Sequence, residues 1–294
     1  MEQKTKKLTK YISCKDHCVS GEFFCLYYDS DLQMLITSPA PKESEADRYY
    51  KGQVYQPHSH QQRTLFQKTY SLVRRFSIQQ KLRKISKFID NNKRILDVGA
   101  GLGDFVHAAD RKGWNCKGVE INSDAVQAAN SKGKQFIFPM SYLNQIKAHS
   151  LSVITLWHVL EHLPEFELKI QTFKSLLSQE GRLVVAAPNF RSYDAKYFKN
   201  CWAAYDPPRH LWHFSQKSIS LIFDKFDMEV ESVSPMLFDA FYVSLLSTKY
   251  QSGKMRILKA FFVALLSNLK AFYTGEYSSI IYVIKNKKKQ FKAP

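Results

Sequence analysis

Residues 95–105 read Ile-Leu-Asp-Val-Gly-Ala-Gly-Leu-Gly-Asp-Phe, and the predicted fold class depends mainly on them. It is a short apolar run that ends in glycines and continues as a helical pattern. Glycines are needed there because the backbone turns tightly and a ligand must lie against it without a Cβ in the way. Gly99, Gly101 and Gly103, preceded by Asp97, form Gly-x-Gly-x-Gly instead of the Gly-x-Gly-x-x-Gly of dinucleotide sites. This spacing favours a cationic ligand with an amino-acid tail over a pyrophosphate.

Strand and helix patterns alternate after this stretch, which predicts a parallel, doubly wound sheet. The predicted strands are residues 94–98, 115–120, 135–138, 151–157, 182–187, 228–233 and 278–285. The predicted helices are residues 64–90, closed by Asn91 and Asn92, then 104–112, 123–132 with Ser123 as N-cap, 165–177 and 218–226. The predicted fold class is therefore α/β, with a Rossmann-like, mostly parallel, seven-stranded sheet.

Two further segments complete the predicted organisation. Residues 1–60 are predicted to be a small, irregular N-terminal segment with short strands at 22–28 and 32–37, serving as a lid or a packing flap. Residues 61–294 are predicted to form the main domain. Within it, an apolar helical insertion of about residues 236–275 precedes the last strand.

Composition restricts the function classes. The 294-residue chain is 45% apolar, which is ordinary for a globular protein, but its formal net charge is +17. The lysines concentrate at residues 4–10 and 285–292, and such ends are usually solvated termini. An anionic membrane surface and a nucleic acid stay open as alternative partners. No basic residue cluster is interleaved with aromatics as single-strand binders need, so nucleic acid is not the expected partner.

The cysteines and the N-terminus favour a cytoplasmic protein. The five cysteines are an odd set without a framework pattern, and no secretion signal is recognisable. The apolar stretch 257–273 carries Lys259 and Lys270 and is at the lower length limit for crossing a bilayer. It is predicted to pack on the domain; the alternative is an interfacial helix that makes the protein peripheral to the inner face of the membrane. The sequence predicts no oligomeric state.

Two more motifs stand where a ligand crevice is expected. Glu120 ends the second strand about twenty residues after Gly99, where an acid accepts ribose hydroxyls. The fourth strand ends in Trp157-His158-Val-Leu-Glu-His162, and carboxyl ends of parallel strands line the crevice of such sheets. Together with residues 97–103, Glu120-Ile121 and Gly181-Arg-Leu-Val-Val-Ala-Ala-Pro-Asn189, these motifs resemble class I S-adenosylmethionine (SAM)-dependent methyltransferases. The branch they resemble most is the ubiquinone-biosynthesis-type (UbiG-like) group, and the resemblance covers residues 90–235 in order.

The resemblance implies a SAM cofactor and a set of residues around it. These are Asp97, Gly99, Ala100, Gly101, Gly103, Glu120, Ile121, Met140, Ser141, Trp157 and His158. Asp97 and the glycines would surround the methionine moiety, and Glu120 would bind the ribose. Met140-Ser141 would lie near the adenine and Trp157-His158 near the sulfur. Many relatives place an acid at the adenine position, where this chain has Ser141.

No metal is expected. Relatives carry two Cys-x-x-Cys pairs near the N-terminus, but only Cys14, Cys18 and Cys25 stand here, which is too few for their tetrahedral zinc site. His158-x-x-Glu161-His162 matches an inverted zinc-protease motif, but it follows a strand instead of lying within a helix. A divalent cation on these three residues stays open as an alternative. The favoured interpretation is that Glu161 and His162 make structural hydrogen bonds while His158 faces the pocket.

The loop at residues 202–214 is the candidate acceptor site. It concentrates tryptophans, a tyrosine, an arginine and histidines, which loops keep when they pack or bind. Trp202, Tyr205 and Arg209 are the predicted substrate-binding residues, with Arg209 on an anionic group. His210 or His213, together with His158, are the predicted catalytic groups, because an imidazole can take a hydroxyl proton near neutral pH. In the alternative, Trp202 and Trp212 only pack the loop on the sheet. Asp206-Pro-Pro-Arg209 is not a DNA-base methylation motif, because it follows the fifth strand.

The expected function is methyl transfer from SAM, most simply to an oxygen of a small-molecule or lipid-like acceptor. An RNA methyltransferase and a non-catalytic SAM-binding protein are the alternatives. The glycine loop and Glu120 argue against a lost pocket.

Overall fold

The computed structural model describes residues 8–50, 65–89, 93–131 and 134–288. The strands are β1 Leu8–Lys15, β2 Phe23–Asp29, β3 Met34–Ser38, β4 Arg94–Val98, β5 Asn115–Glu120, β6 Ile137–Pro139, β7 Leu151–Trp157, β8 Leu177–Pro188, β9 Trp212–His213, β10 Met228–Pro235 and β11 Ser279–Asn286. The helices are α1 Glu43–Ala46, α2 Leu65–Ser86, α3 Asp104–Asp110, α4 Ser123–Asn130, α5 Phe166–Leu176, α6 Tyr193–Phe198, α7 Gln216–Asp224, α8 Asp239–Ser252 and α9 Ile257–Thr274. The predicted helix start at residue 64, its end at 90–92, and the outermost lysines of both termini lie outside the described residues.

The main sheet has seven strands in the order β10-β11-β8-β7-β4-β5-β6. The central pairs β4–β5, β4–β7 and β5–β6 are parallel. Central strands of a doubly wound sheet are buried on both faces, because helices cover both sides. Ile95, Leu96 and Val98 of β4 are accordingly buried. The predicted α/β class with a mostly parallel, seven-stranded sheet is confirmed.

A second sheet of four strands has the order β1-β2-β3-β9, and its strands pair antiparallel. The N-terminal segment is thus more regular than the sequence indicated. Strand β1 escaped prediction because most of its residues are exposed and polar, as is typical of an edge strand. Strand β9 escaped because it is two residues long and pairs with a distant segment, Leu35 with His213 and Ile36 with Trp212.

The chain folds into two compact units. Unit 1 takes its described residues from Met1–Val54, His158–Phe166 and Val185–Val283, and unit 2 from Tyr55–Trp157, Glu167–Val184 and Ile284–Pro294. These units do not follow the predicted division after residue 60. In unit 1 the N-terminal strands belong with the aromatic loop, since β3 pairs with β9.

Two local features refine the predicted elements. The helical insertion before the last strand is present as α8 and α9, and Gly253 ends α8 with a left-handed backbone (φ 73°). The N-cap of α4 is Asn122, not Ser123. The Asn122 side chain accepts a 3.0 Å hydrogen bond from the Ala125 backbone N–H, and Asn caps a helix as well as Ser does.

Candidate functional site

The glycine loop of unit 2 joins β4 to α3. The backbones of Gly99, Gly101 and Gly103 are all left-handed, with φ of 68°, 53° and 76°. Residues that carry a side chain rarely adopt this conformation. The N–H groups of Gly99 and Ala100 donate to the Val119 carbonyl at 2.8 and 3.1 Å. These two bonds fasten the start of the loop to the carboxyl end of β5.

Gly118 on β5 has no side chain, and the glycine loop occupies the space where a Cβ would otherwise lie. A Cβ at Gly118 would lie 2.5 Å from the Ala100 Cβ and 2.6 Å from the Ile137 Cδ1. Both distances are far below ordinary van der Waals contact, so any larger residue would displace the loop or β6. Gly118 is not recognisable as a site residue from the sequence, since its role depends on a neighbouring strand.

Glu120 closes one side of the loop. Its Oε2 accepts from the Gly101 N–H at 2.8 Å, and its Oε1 accepts from the N–H groups of Ile121 at 2.9 Å and Asn122 at 3.1 Å. A carboxylate offers about four lone-pair sites, so one stays available for a hydroxyl donor. The adjacent Ile121 is 88% exposed, an apolar surface beside a fixed carboxylate.

Asp97 lies inside unit 2 at the end of β4 and is only 3% exposed. Burial raises the pKa of this carboxyl to about 7, although the Thr155 hydrogen bond and the charge of Lys81 oppose the shift. Thr155 Oγ1 donates to Asp97 Oδ1 at 2.6 Å. A buried carboxylate of this kind gains most from a bound cation. Neither Thr155 nor Lys81 was singled out from the sequence.

Trp157 ends β7 in the same unit. Its ring packs against Phe105 with centroids 5.6 Å apart, and the Lys81 ammonium lies 4.6 Å from its centroid. The indole Nε1 is buried and has no hydrogen-bond partner among the described residues. Buried donors normally have a partner, so this N–H is suited to a ligand or an ordered water.

Met140 and Ser141 begin a short 3-10 helix, Met140–Gln145, directly after β6. Ser141 is exposed. The next residue, Tyr142, stacks on Phe138 with centroids 4.3 Å apart and accepts a 2.6 Å hydrogen bond from Lys117 Nζ. Ser141 has a hydroxyl where many relatives have a carboxylate, and its contact with the cofactor stays a prediction.

His158 belongs to unit 1 and has a left-handed backbone, with φ of 58°. Its Nε2 lies 2.9 Å from Asp239 Oδ2 and its Nδ1 lies 3.5 Å from Glu161 Oε1. Burial alone would lower the pKa of His158, but the two carboxylates outweigh it and raise the pKa to about 9. The His158 imidazole is therefore protonated at neutral pH and paired with the two carboxylates. Asp239, which lies on α8, was not predicted.

Glu161, which is buried, and the adjacent His162 and His210 form a group in unit 1 whose ligand-type atoms lie within 4.8 Å of one another. Burial opposes ionisation of Glu161, but the neighbouring histidines lower its pKa to about 2. Both Glu161 carboxylate oxygens lack a hydrogen-bond partner within the part of the chain that the structure describes. This set could hold a divalent ion. It shares Glu161 and His162 with the alternative raised from the sequence, with His210 in place of His158.

Arg209 is fully engaged inside unit 1. Its guanidinium donates to Asp16 Oδ1 at 2.9 Å, to Asp206 Oδ1 at 2.6 Å and Oδ2 at 2.9 Å, and to the Tyr49 carbonyl at 3.1 Å. Burial opposes the charge of Arg209, but these partners raise its pKa further. Since these acceptors engage the Nε and both Nη groups of a buried side chain, the geometry favours a structural role. Anion binding by Arg209 stays a prediction.

The aromatic residues of the loop are also packed. Trp202 and Tyr205 are buried with ring centroids 4.9 Å apart, and the Trp202 indole N–H donates to Asp194 Oδ2 at 2.8 Å. Both belong to one apolar cluster with Cys14, Leu26 and Phe198. This favours the packing alternative over direct substrate contact.

His210 and His213 are buried beside these aromatics. The Ala204 carbonyl accepts a 2.8 Å hydrogen bond from His210 Nδ1, and His213 Nε2 lies 3.0 Å from Thr37 Oγ1. Burial, followed by the charge of His210, lowers the pKa of His213 well below its usual value. Because its pKa is lowered, the enclosed His213 imidazole is a weak base for a hydroxyl proton, and the catalytic roles of His210 and His213 stay predictions.

All five cysteines lie within the described residues and are free thiols. Cys14 is buried, and burial is the main reason that its pKa rises to about 12. A thiol held protonated is a poor metal ligand. The expectation that the cysteines bind no zinc stays a prediction.

The comparisons with known proteins agree with this architecture. The chain is similar to the ubiquinone biosynthesis O-methyltransferase of Actinobacillus pleuropneumoniae serotype 7 (strain AP76), with 29% identity over 33% of this chain and 46% of that protein. The enzyme of the same name from Cupriavidus pinatubonensis is 26% identical over 33% of this chain and 42% of its own length. The chain thus spans less than half the length of these curated relatives.

A crystal structure of a SAM-dependent methyltransferase from Thermotoga maritima has the same fold, with a TM-score of 0.51 and 16% identity over 75% of this chain and 94% of that one. The family model described as a methyltransferase domain matches residues 70–233, more than half of the chain. The chain therefore belongs to the methyltransferase domain family, and its predicted resemblance to class I, SAM-dependent, UbiG-like members is confirmed.

Proposed function

We propose that the protein transfers a methyl group from SAM to an oxygen of a small-molecule or lipid-like acceptor. The observation that carries this proposal is the buried Asp97 carboxylate beside a glycine loop that Glu120 holds in place. A carboxylate whose pKa is raised to about 7 by burial gains from a cationic ligand, which restores its ionised form. SAM is such a ligand, and when bound it supplies a methyl group activated by a sulfonium.

The residues of unit 2 fit each part of that cofactor. Asp97 would hold the charged methionine end, which can lie against the glycine loop because no Cβ stands in the way, and the remaining lone pair of Glu120 would accept a ribose hydroxyl. Exposed Ile121 offers an apolar surface of the kind that an adenine ring covers. The unsatisfied indole N–H of Trp157 offers one more donor. The fit is therefore with a cationic nucleoside carrying an amino-acid tail.

Transfer to oxygen is supported by the curated relatives, which are named O-methyltransferases. Methyl transfer demands mainly an in-line approach of acceptor to donor, which a protein achieves by positioning. His158 is the side chain that this proposal retains for the acceptor. At neutral pH its imidazolium, paired with Asp239 through Nε2 and with Glu161 through Nδ1, would place a positive charge beside an acceptor and would not abstract a proton.

Titration calorimetry with SAM and with S-adenosylhomocysteine tests the cofactor half of the proposal. We expect micromolar binding to the wild type and a loss of at least about tenfold in Glu120→Ala, which removes the acceptor for three N–H groups. The matched control is Glu180→Gln, an exposed glutamate in the same unit, which should bind like the wild type. If neither ligand binds the folded wild type at millimolar concentration, the proposal fails.

Turnover tests the second half. Wild-type protein is incubated with SAM carrying a labelled methyl group and with hydroxylated aromatics, hydroxylated lipids, amines or RNA in separate reactions. The proposal expects label in an oxygen-linked product. Label in an amine or in RNA would replace the acceptor class, and SAM binding without any turnover would favour the non-catalytic alternative.

A further inference from the structure

Helix α9 (Ile257–Thr274) turns an apolar surface outward. Among the described residues it is the one helix long and apolar enough to cross a membrane by length and composition, with a mean hydropathy of 1.3, yet only 28% of it is buried. Its large exposed residues are Ile257, Leu258, Phe261, Phe262, Leu265, Leu266, Leu269, Phe272 and Tyr273. We call this set the outer face of α9. Soluble monomers rarely expose a continuous apolar surface of this kind without a partner for it.

The two faces of α9 are inverted relative to an ordinary surface helix. The buried residues are the small ones, Ala260, Val263, Ala264, Ser267 and Ala271, which recur at three- and four-residue steps. The large apolar residues therefore occupy the opposite face, where a soluble helix has charged groups. Leu258 and Phe272 are each 76% exposed. Packing within the protein does not explain why these residues are large and apolar.

The inner face is firmly attached to unit 1. Ser267 Oγ donates to the buried Asp194 Oδ1 at 2.7 Å, and Asn268 Nδ2 donates to the Leu237 carbonyl at 3.0 Å. Phe261 also contacts Phe241 of α8, with ring centroids 5.6 Å apart. A membrane-spanning arrangement would break these contacts and expose a buried carboxylate. The helix is therefore placed to lie along a surface and not to cross one.

The charges around the outer face specify its partner. Residues 240–275 contain no Asp or Glu, and their cations are Lys249, Lys254, Arg256, Lys259 and Lys270. Lys254 and Arg256 are exposed immediately before the helix, and Lys270 lies 3.9 Å from the Tyr193 ring centroid at the helix side. A second copy of this chain docking through the same face would bring these cations together. An anionic lipid surface would instead pair with them.

We propose that the outer face of α9 docks the protein onto an anionic bilayer surface. The large side chains enter the boundary between head groups and acyl chains, and the flanking cations contact the anionic head groups. This inference concerns attachment and not chemistry, so it stands whether or not the proposed oxygen acceptor is right. It places a peripheral membrane contact on a named helix.

Vesicle flotation of the full chain tests the proposal. Vesicles of phosphatidylcholine alone are compared with vesicles that contain about 30 mol% phosphatidylglycerol. We expect binding at least about tenfold stronger to the anionic vesicles and a decrease with added salt. The variant Leu258→Ser/Phe262→Ser/Leu269→Ser changes exposed positions only and should lose at least about tenfold in binding, because each side chain contributes apolar burial.

Matched controls separate the surface from general effects. Phe23→Ser removes a 70% exposed aromatic on β2 and should leave flotation unchanged. Lys254→Gln/Arg256→Gln should weaken binding several-fold, whereas Lys112→Gln/Lys147→Gln, which removes the same charge from exposed sites elsewhere, should not. Calorimetry with SAM reports folding of each variant independently. If the wild-type protein binds SAM but does not float with the vesicles, only this inference is overturned. If it floats with the vesicles but does not bind SAM, only the proposed function is overturned.

Four outcomes would overturn the docking surface. Equal binding to neutral and anionic vesicles would remove the charge argument, and unchanged flotation of the Leu258, Phe262 and Leu269 variant would remove the apolar one. A dimer in sedimentation equilibrium that this same variant dissociates would assign the face to a second copy. Protein that resists extraction from membranes at alkaline pH would indicate a span, whereas protein released by that treatment supports surface docking.

Discussion

Thr155 Oγ1 donates a 2.6 Å hydrogen bond to Asp97 Oδ1, and the two residues are direct register partners on the parallel strands β7 and β4. This bond is the principal contact that favours the ionised form of Asp97 against the cost of burial. Burial and this hydrogen bond together leave the pKa of Asp97 near 7, so a nearby charge can change its protonation state at physiological pH. Binding of a cationic ligand in unit 2 should therefore be coupled to the release of a proton from Asp97.

The first prediction follows from that linkage. Burial raises the pKa of Asp97 to about 7 in the ligand-free protein, and a bound cation would lower it. SAM binding should therefore release a proton at slightly acid pH, and affinity should fall as the pH decreases below about 7. Calorimetry between pH 5.5 and 8.5, in buffers of different ionisation enthalpy, measures both quantities. A pH-independent affinity in the wild type, or an unchanged pH dependence in Asp97→Asn, would contradict the linkage.

The second prediction concerns Thr155. Thr155→Val keeps the shape of the side chain but removes the donor, so the pKa of Asp97 should rise above that of the wild type. The midpoint of the affinity profile should move to higher pH, and SAM affinity at pH 7 should fall several-fold. Thr172→Val is the matched control, since its hydroxyl donates to the Leu168 carbonyl on the exposed side of α5. A weaker affinity without a shifted midpoint would assign Thr155 to packing alone.

The third prediction concerns Gly118. In Gly118→Ala the new methyl group would collide with Ala100 and Ile137, so the glycine loop or β6 must move. We expect a stability loss of about 1–3 kcal/mol and weaker SAM binding. Gly113→Ala meets no atom within 4 Å and should cost only the strain of its left-handed backbone, with SAM binding unchanged. Urea unfolding and calorimetry on both variants provide the comparison, and equal effects of the two would remove the close-packing argument.

The sequence predicted those parts of the fold and site that local chemistry determines. Strands β4 and β7 have the predicted bounds, because continuous apolar runs next to glycine or polar residues are unambiguous. The glycine loop and Glu120 follow from spacing along one βαβ unit. In contrast, Asp16 and Arg209 are 193 residues apart in the chain, and nothing in either segment indicates that they form an ion pair.

The same limit explains the aromatic loop and His158. Trp202 and Tyr205 are conspicuous in sequence, but only the packing of Asp194 and the N-terminal strands around them distinguishes a core from a binding surface. Asp239 raises the pKa of His158 from a helix that lies about eighty residues further along the chain, and Asp239 matches no motif. Tertiary contacts of this kind change the role of a residue without changing its local pattern.

The fourth prediction distinguishes the two interpretations of Trp202. Asp194 accepts hydrogen bonds from Trp202 Nε1 at 2.8 Å and from Ser267 and Ser278 at 2.7 Å each. Trp202→Phe removes one donor from this buried carboxylate and should destabilise the protein by about 1–3 kcal/mol. SAM affinity and the KM for an acceptor should not change once the protein is folded. Trp114→Phe, at a half-buried site, should have a smaller effect on the urea midpoint. A raised KM with unchanged stability would instead place Trp202 in the acceptor site.

The fifth prediction concerns Arg209, which neutralises two carboxylates inside unit 1. Burial opposes ionisation of Asp16 and Asp206, but Arg209 and nearby donors hold their pKa values below the usual range. Arg209→Met would leave both carboxylates without their cation. We expect a loss of at least about 3 kcal/mol at pH 7.5, measured by urea unfolding, because removing one partner of a buried ion pair costs far more than the pair contributes.

The pH dependence gives this prediction its sign. Because the folded pKa values of Asp16 and Asp206 are lowered, their stabilising contribution exists above the unfolded pKa of about 4 and is lost as the pH falls through the folded values. Arg209→Met abolishes that contribution, so the difference from the wild type should persist down to about pH 4 and shrink as the pH is lowered below it. Arg48→Met, in an exposed pair with Glu22, should show a much smaller and nearly pH-independent change. If Arg209→Met were as stable as the wild type and only its acceptor KM rose, Arg209 would be the anion-binding residue that the sequence predicted, because the protein would then have no need of its charge for folding.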